Sequence, residues 1–160
     1  MSAWESFFVA EVGASAVLAG LVFVGLSLNL DKIIAGPGLP GRALEALVAL
    51  TVVLVVSSLL LVPGQSQALI GGEMLVGGLV FWIAIVSLQL GNLQTLVPQY
   101  RTVFAVRVAL GQLASVPFVI AGVAVLVRGE GGLYWLVLGV IVSLVLALQD
   151  AWVLLVEINR

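Results

Sequence analysis

The sequence predicts an all-α fold: a polytopic integral membrane helical bundle of five transmembrane helices, N-terminus outside and C-terminus inside. Three observations predict it. Of the 160 residues, 62% are hydrophobic and only 9% charged, where a soluble domain carries roughly 25% charged residues. Apolar runs of about 20 residues, the length that crosses a bilayer, recur along the chain. The basic residues gather on one side when five crossings are threaded.

The runs justify the helices in order. They cover about 7–30, 43–62, 68–90, 102–127 and 133–156, and the whole of 1–160 reads as one transmembrane domain. In lipid only helices and closed barrels satisfy every backbone polar group. Barrel strands are about 10 residues long and alternate in polarity; these runs are longer and do not alternate. The breaks are punctuated by residues that disfavour helix. Residues 36–42, with two prolines and three glycines, are expected to leave the helical state and form the first connection. Pro63 to Gln67 forms the second, Gly91 to Arg101 the third and Arg128 to Gly132 the fourth. The composition of the third also allows the third helix to continue past Gly91, and four spans with a half-inserted segment is the fallback count.

Lys32, Arg42, Arg101, Arg107 and Arg160 fall on one side of a five-span chain and Arg128 on the other. Basic residues stay on the cytoplasmic side, which gives the orientation. Trp4, Phe7, Phe8, Tyr134 and Trp135 are expected near the outer interface, and Tyr100 and Trp152 near the inner one. Trp82 is too deep for such a belt and is expected to be packed or lipid-facing. The place is then a cell membrane, expected to be a bacterial inner membrane.

Composition also excludes. With no cysteine and no histidine, the chain has no disulfide, no thiol nucleophile and no imidazole for a metal or for base catalysis. The scattered basic residues and net charge of -2 give no footprint for nucleic acid. No Gly-rich phosphate loop opens a helix. The first charged side chains are Glu5 and Glu11, unlike the basic start of a secretory signal. No catalytic activity, metal or cofactor is expected.

Ionisable groups inside a span are costly and normally face protein or a wet cavity. Helical spacing places Glu11, Ser15, Val22, Gly25 and Asn29 on one stripe of the first helix. It groups Glu73 with Gly77, Ala84 and Ser87 on the third, and Arg107 with Gly111, Ala114, Ser115 and Gly122 on the fourth. On the fifth, Gly139, Ser143, Ala147 and Ala151 recur beside Asp150. Small residues at this spacing let helices approach closely. Arg107 lies roughly 9 Å into its helix and Asp150 roughly 10 Å in from the same side, at 1.5 Å per residue. The two are expected to form a buried ion pair. Glu45, one turn from Arg42, reads as a helix-dipole residue with a local partner. Asn29, Gln89, Asn92, Gln112 and Gln149 read as interhelical hydrogen-bonding groups or the lining of an inward-facing vestibule. On the outer side, one of Glu11 and Glu73 is expected to pair with Arg128. Pro117 removes a backbone bond in mid-span and is a candidate hinge.

The expected function is a homo-oligomeric channel or small transporter with a cation-related pathway. Its candidate pathway residues are Glu11, Glu73, Asn29 and Gln112, since rings of Glu attract cations. The alternative is a non-transporting interaction or regulatory subunit of a larger membrane complex. The expected partners are the lipid bilayer, further copies of the chain and other membrane proteins.

Overall fold

The computed structural model describes residues 2–36, 38–93 and 101–156. Among these residues six α-helices follow one another: α1 (Ser2–Leu28), α2 (Leu30–Ala35), α3 (Leu39–Leu60), α4 (Gln67–Leu93), α5 (Arg101–Arg128) and α6 (Leu133–Leu155). Among the described residues there is no strand. Among the described residues four stretches are long and apolar enough to cross a membrane: Trp4–Leu28, Leu39–Leu60, Gln67–Gly91 and Arg101–Leu155. The last is 55 residues long and contains both α5 and α6. A short 3₁₀ turn, Gly129–Gly132, separates them. Gly129 sits there at φ 68°, a left-handed conformation that a side chain would strain.

Helix ends depart from the sequence expectation in several places. α1 breaks at Asn29, whose φ of -121° and ψ of 20° are not helical, and α2 is an added helix of six residues. The stretch 36–42 is only partly non-helical, because α3 starts at Leu39 and holds Pro40 in its first turn. Proline is tolerated there, where its missing N–H has no intrahelical partner to lose. α4 runs through Gly91 to Leu93. The rest of the third connection, with Tyr100, lies outside the described residues, as do Glu157, Arg160 and the side chain of Asn92.

α3 is central and packs on α1, α4 and α6, while α5 packs on α4 and α6. The core draws Val53 and Val56 from α3, Met74, Phe81 and Ile85 from α4, Phe118 and Ala121 from α5, and Leu136 and Val140 from α6. Phe81 and Phe118 meet edge to face with centroids 5.4 Å apart, a favourable arrangement of ring quadrupoles. Against α5, α4 comes into backbone contact. A Cβ on Gly78 would lie 2.7 Å from the Val119 nitrogen, and one on Gly122 2.5 Å from the Leu75 nitrogen. Such close crossings maximise dispersion contact where lipid supplies no hydrophobic drive between helices.

Most expected stripes are inward. Ser15, Val22 and Gly25 are buried, as are Gly111, Ala114, Ser115, Gly122, Gly139, Ser143 and Ala147. The α4 face is the exception. Its inward row is Ile70, Met74, Gly78, Phe81, Ile85 and Gln89, while Glu73 and Gly77 are half-buried and Ser87 is exposed. The large apolar side chains, rather than the small and polar ones, set the rotation of this helix. At one end of the bundle Trp4 meets Tyr134 at 5.0 Å and stacks on Phe8 at 6.2 Å, which fastens the start of α1 to the start of α6.

Candidate functional site

Three helices deliver charge to one level at the opposite end. Glu45 lies six residues into α3, Arg107 six residues into α5, and Asp150 five residues before the end of α6. Because α6 enters this level from the other direction, its end meets the starts of α3 and α5. Ala46, Ala49, Gly111, Ala114 and Ala147 surround the three groups, and these small residues leave room for a guanidinium between the helices.

The guanidinium joins both carboxylates. Arg107 Nη1 donates to Asp150 Oδ1 at 2.8 Å, and Nη2 donates to Asp150 Oδ2 at 2.9 Å. On the other side Nε and Nη2 donate to Glu45 Oε2 at 3.0 and 2.7 Å. Arginine has five donors in a fixed fork, and the contacts engage both of its edges. The side chains of Glu45 and Asp150 are each 9% exposed and that of Arg107 19%. Charge-assisted bonds of this length in apolar surroundings are strong, and they offset the desolvation of the ions. Arg42, one turn before Glu45, adds a second positive charge that acts on it.

The structure thus brings Arg107 and Asp150 together and adds Glu45. Beyond the local charge of Arg42 that the sequence suggests, the hydrogen bonds of Glu45 reach α5. The equal depth of Glu45 and Arg107 emerges only with the observed helix starts, Leu39 and Arg101.

A second polar chain crosses from α4 to α5. Trp82 Nε1 donates to Gln112 Oε1 at 2.7 Å, and Gln112 Nε2 donates to Gln89 Oε1 at 3.2 Å. Trp82 is 38% exposed and Gln89 only 5%, so the chain runs from the surface of the bundle into its interior. Gln89 and Gln112 thus bond between helices, one of the two roles the sequence suggests for them, while the donor Trp82 was not foreseen.

The four candidate pathway residues are not gathered. Glu73 Oε2 accepts from Gln65 Nε2 at 2.8 Å, so its hydrogen bond is to a loop amide rather than to the expected Arg128. Asn29 Nδ2 donates to the Leu154 carbonyl at 3.2 Å and ties the break after α1 to the end of α6. Gln112 belongs to the amide chain, and Glu11 is half-buried on α1 with Oε2 unpartnered. Pro117 is buried within α5, which remains one helix through it. Two cavities lie at the far end: one of about 390 Å³ beside Glu5, Leu60 and Gln65, the other of about 200 Å³ beside Gln67, Val125 and Glu130. Neither is lined by any of the four. Among the described residues no group of three or more acidic side chains is placed to hold a metal ion.

Compared with known proteins, the chain matches no family model, no curated protein and no solved structure.

Proposed function

We propose that this chain is a five-span membrane bundle, N-terminus outside and C-terminus inside, that serves as a non-conducting interaction or regulatory subunit of a membrane assembly. The observation that carries the reading is an apolar layer between the triad and the far-end cavities. Along α3 it is Val53 and Val56, which separate Glu45 from Leu60 at the cavity. Phe118 separates Arg107 from Val125 on α5, and Val140 and Leu136 separate Asp150 from Leu133 on α6. All five layer residues are at most 3% exposed. The polar groups buried near that level are the single hydroxyls of Ser57, Ser115 and Ser143, with no charge among them, and the charged groups of the triad pair with one another across helices instead of lining a path. Five spans are supported by the length of the Arg101–Leu155 stretch: as one straight helix it would extend roughly 80 Å, far beyond a bilayer, and it folds back at Gly129. With neither histidine nor cysteine, the chain is read as non-enzymatic.

A cation path between copies of the chain is the second reading. Glu11 favours it, with an unpartnered carboxylate oxygen on the least buried of the long helices. Vesicles containing the purified chain, assayed for proton, sodium and potassium flux, separate the two. The subunit reading expects no flux above protein-free vesicles. Flux that scales with protein and is lost in Glu11→Gln or Glu73→Gln overturns it.

A further inference from the structure

The far-end cavity of about 390 Å³ is built where α3 stops: Leu60, Leu61 and Val62 line it, and Pro63 follows them. An α-helix ends in carbonyls that have no partner within the helix. Their partial negative charge is normally met by a following N–H or by a basic side chain. The last turn of α3 carries no basic residue. The N–H groups of Leu61 and Val62 turn back to the Ser58 and Leu59 carbonyls at 3.2 and 3.0 Å, and Pro63 has no N–H to give. Among the described residues, no N–H of the turn that follows bonds to the carbonyls of Leu60, Leu61 or Val62. Glu5, from the first turn of α1, adds an exposed carboxylate to the same lining. None of the lining side chains is basic. The amide nitrogen of Gln65, the one polar side chain besides Glu5, is engaged by Glu73 Oε2 at 2.8 Å.

We propose that this cavity is a binding site for a primary alkylammonium group, held between the Glu5 carboxylate and the uncapped end of α3, with its alkyl stem against Leu60, Val62 and Ile70. An ammonium has three donors and no acceptor, which suits a carboxylate and a set of open carbonyls. Its charge supplies the cation that the last turn of α3 lacks. The volume lies in the range of small-molecule sites, roughly 300–1,000 Å³, which are likewise mostly apolar with a few placed polar groups. A carboxylate or phosphate ligand would meet like charge from both Glu5 and the helix end. A calcium ion takes about 6–8 oxygen ligands and would leave the apolar wall uncovered. The same ammonium is carried by a free amine and by the ethanolamine headgroup of a phospholipid, and a cavity at the ends of the spans is open to either. This inference does not depend on whether the chain conducts ions.

Titration of the full chain in phosphatidylcholine nanodiscs with n-butylammonium chloride tests it, followed by the NMR shifts of the Gly64 and Gln65 backbone amides. The expected result is a saturable shift with butylammonium and none with butanol, butyrate or sodium at the same concentrations. Glu5→Gln, at an exposed position, is expected to weaken binding at least tenfold. Val62→Trp, which fills the cavity from a residue that is 49% exposed, is expected to abolish it. In both variants the Arg107 side-chain resonances at the other end of the bundle are expected to stay in place, which reports an intact fold. Absence of a saturable shift in the unsubstituted chain overturns the proposal. So does an equal response to butanol or sodium, or butylammonium binding that is unchanged in either folded variant. Adding phosphatidylethanolamine to the discs identifies the source of the group: competition with butylammonium assigns the site to the lipid headgroup, and an unchanged titration assigns it to a free amine.

Discussion

Replacing Arg107 by leucine leaves Glu45 and Asp150 close together in apolar surroundings with their shared cation gone. Removing one member of a buried ion pair typically costs about 3–5 kcal/mol, far more than replacing all members with apolar groups. Arg107→Leu is therefore expected to lose stability on that scale. Glu45→Leu is expected to lose less, because Arg107 keeps its two bonds to Asp150. The triple leucine variant is expected to recover most of the Arg107→Leu loss. Arg107→Lys is expected to fall between, since an ammonium cannot present the two-edged fork. Unfolding titrations in bicelles measure the order, and equal losses for Arg107→Leu and the triple variant would contradict it. The Arg107–Asp150 contact was legible because helical rise converts sequence distance into depth, and both residues lie at one depth in apolar runs. Glu45 was read as local because Arg42, one turn away, offered a sufficient neighbour. The direction in which its side chain leaves α3 is set by packing, which no spacing rule encodes.

At the level of helices, the contact between α4 and α5 depends on absent side chains. Gly78→Ala and Gly122→Ala would drive a methyl group into the facing backbone, at 2.7 Å from the Val119 nitrogen and 2.5 Å from the Leu75 nitrogen. Overpacking of this kind costs about 1–3 kcal/mol, and both variants are expected to lower thermal stability in detergent. Gly13→Ala and Gly20→Ala make the control, because nothing lies within 4 Å of either added Cβ. They are expected to stay within about 0.5 kcal/mol. Losses of equal size in the two pairs would remove the special standing of the close crossing. The helices themselves were legible from the length of the apolar runs, which the bilayer dictates. Their ends were less so, because an apolar run records contact with lipid and not where hydrogen bonding stops. α1 starts well before its run, and Pro40 sits inside α3 although proline reads as a break.

For the molecule as a whole, the threading of the chain is open to a simple test. The sequence has no cysteine, so single cysteines report without background. Ser66→Cys and Gly131→Cys are expected to react with a membrane-impermeant maleimide added outside cells, and Lys32→Cys only after permeabilisation. Reaction of Ser66→Cys and Gly131→Cys on opposite sides would refute the five-span threading. The class of fold was readable because composition limits what can bury its backbone in lipid. The rotation of α4 was not, since Met74, Phe81 and Ile85 competed with Glu73 and Gly77 for the inner face and bulk prevailed. The pairing of Gln112 with Trp82 and Gln89 was hidden for the same reason: it depends on how two helices turn toward each other. The triad has a further consequence for how the chain is made. A ribosome delivers Glu45 first, Arg107 about sixty residues later and Asp150 last. Arg107 is therefore synthesised after one of its carboxylates and before the other. Glu45 is the first counter-charge the chain offers to the guanidinium, and Asp150 completes the set.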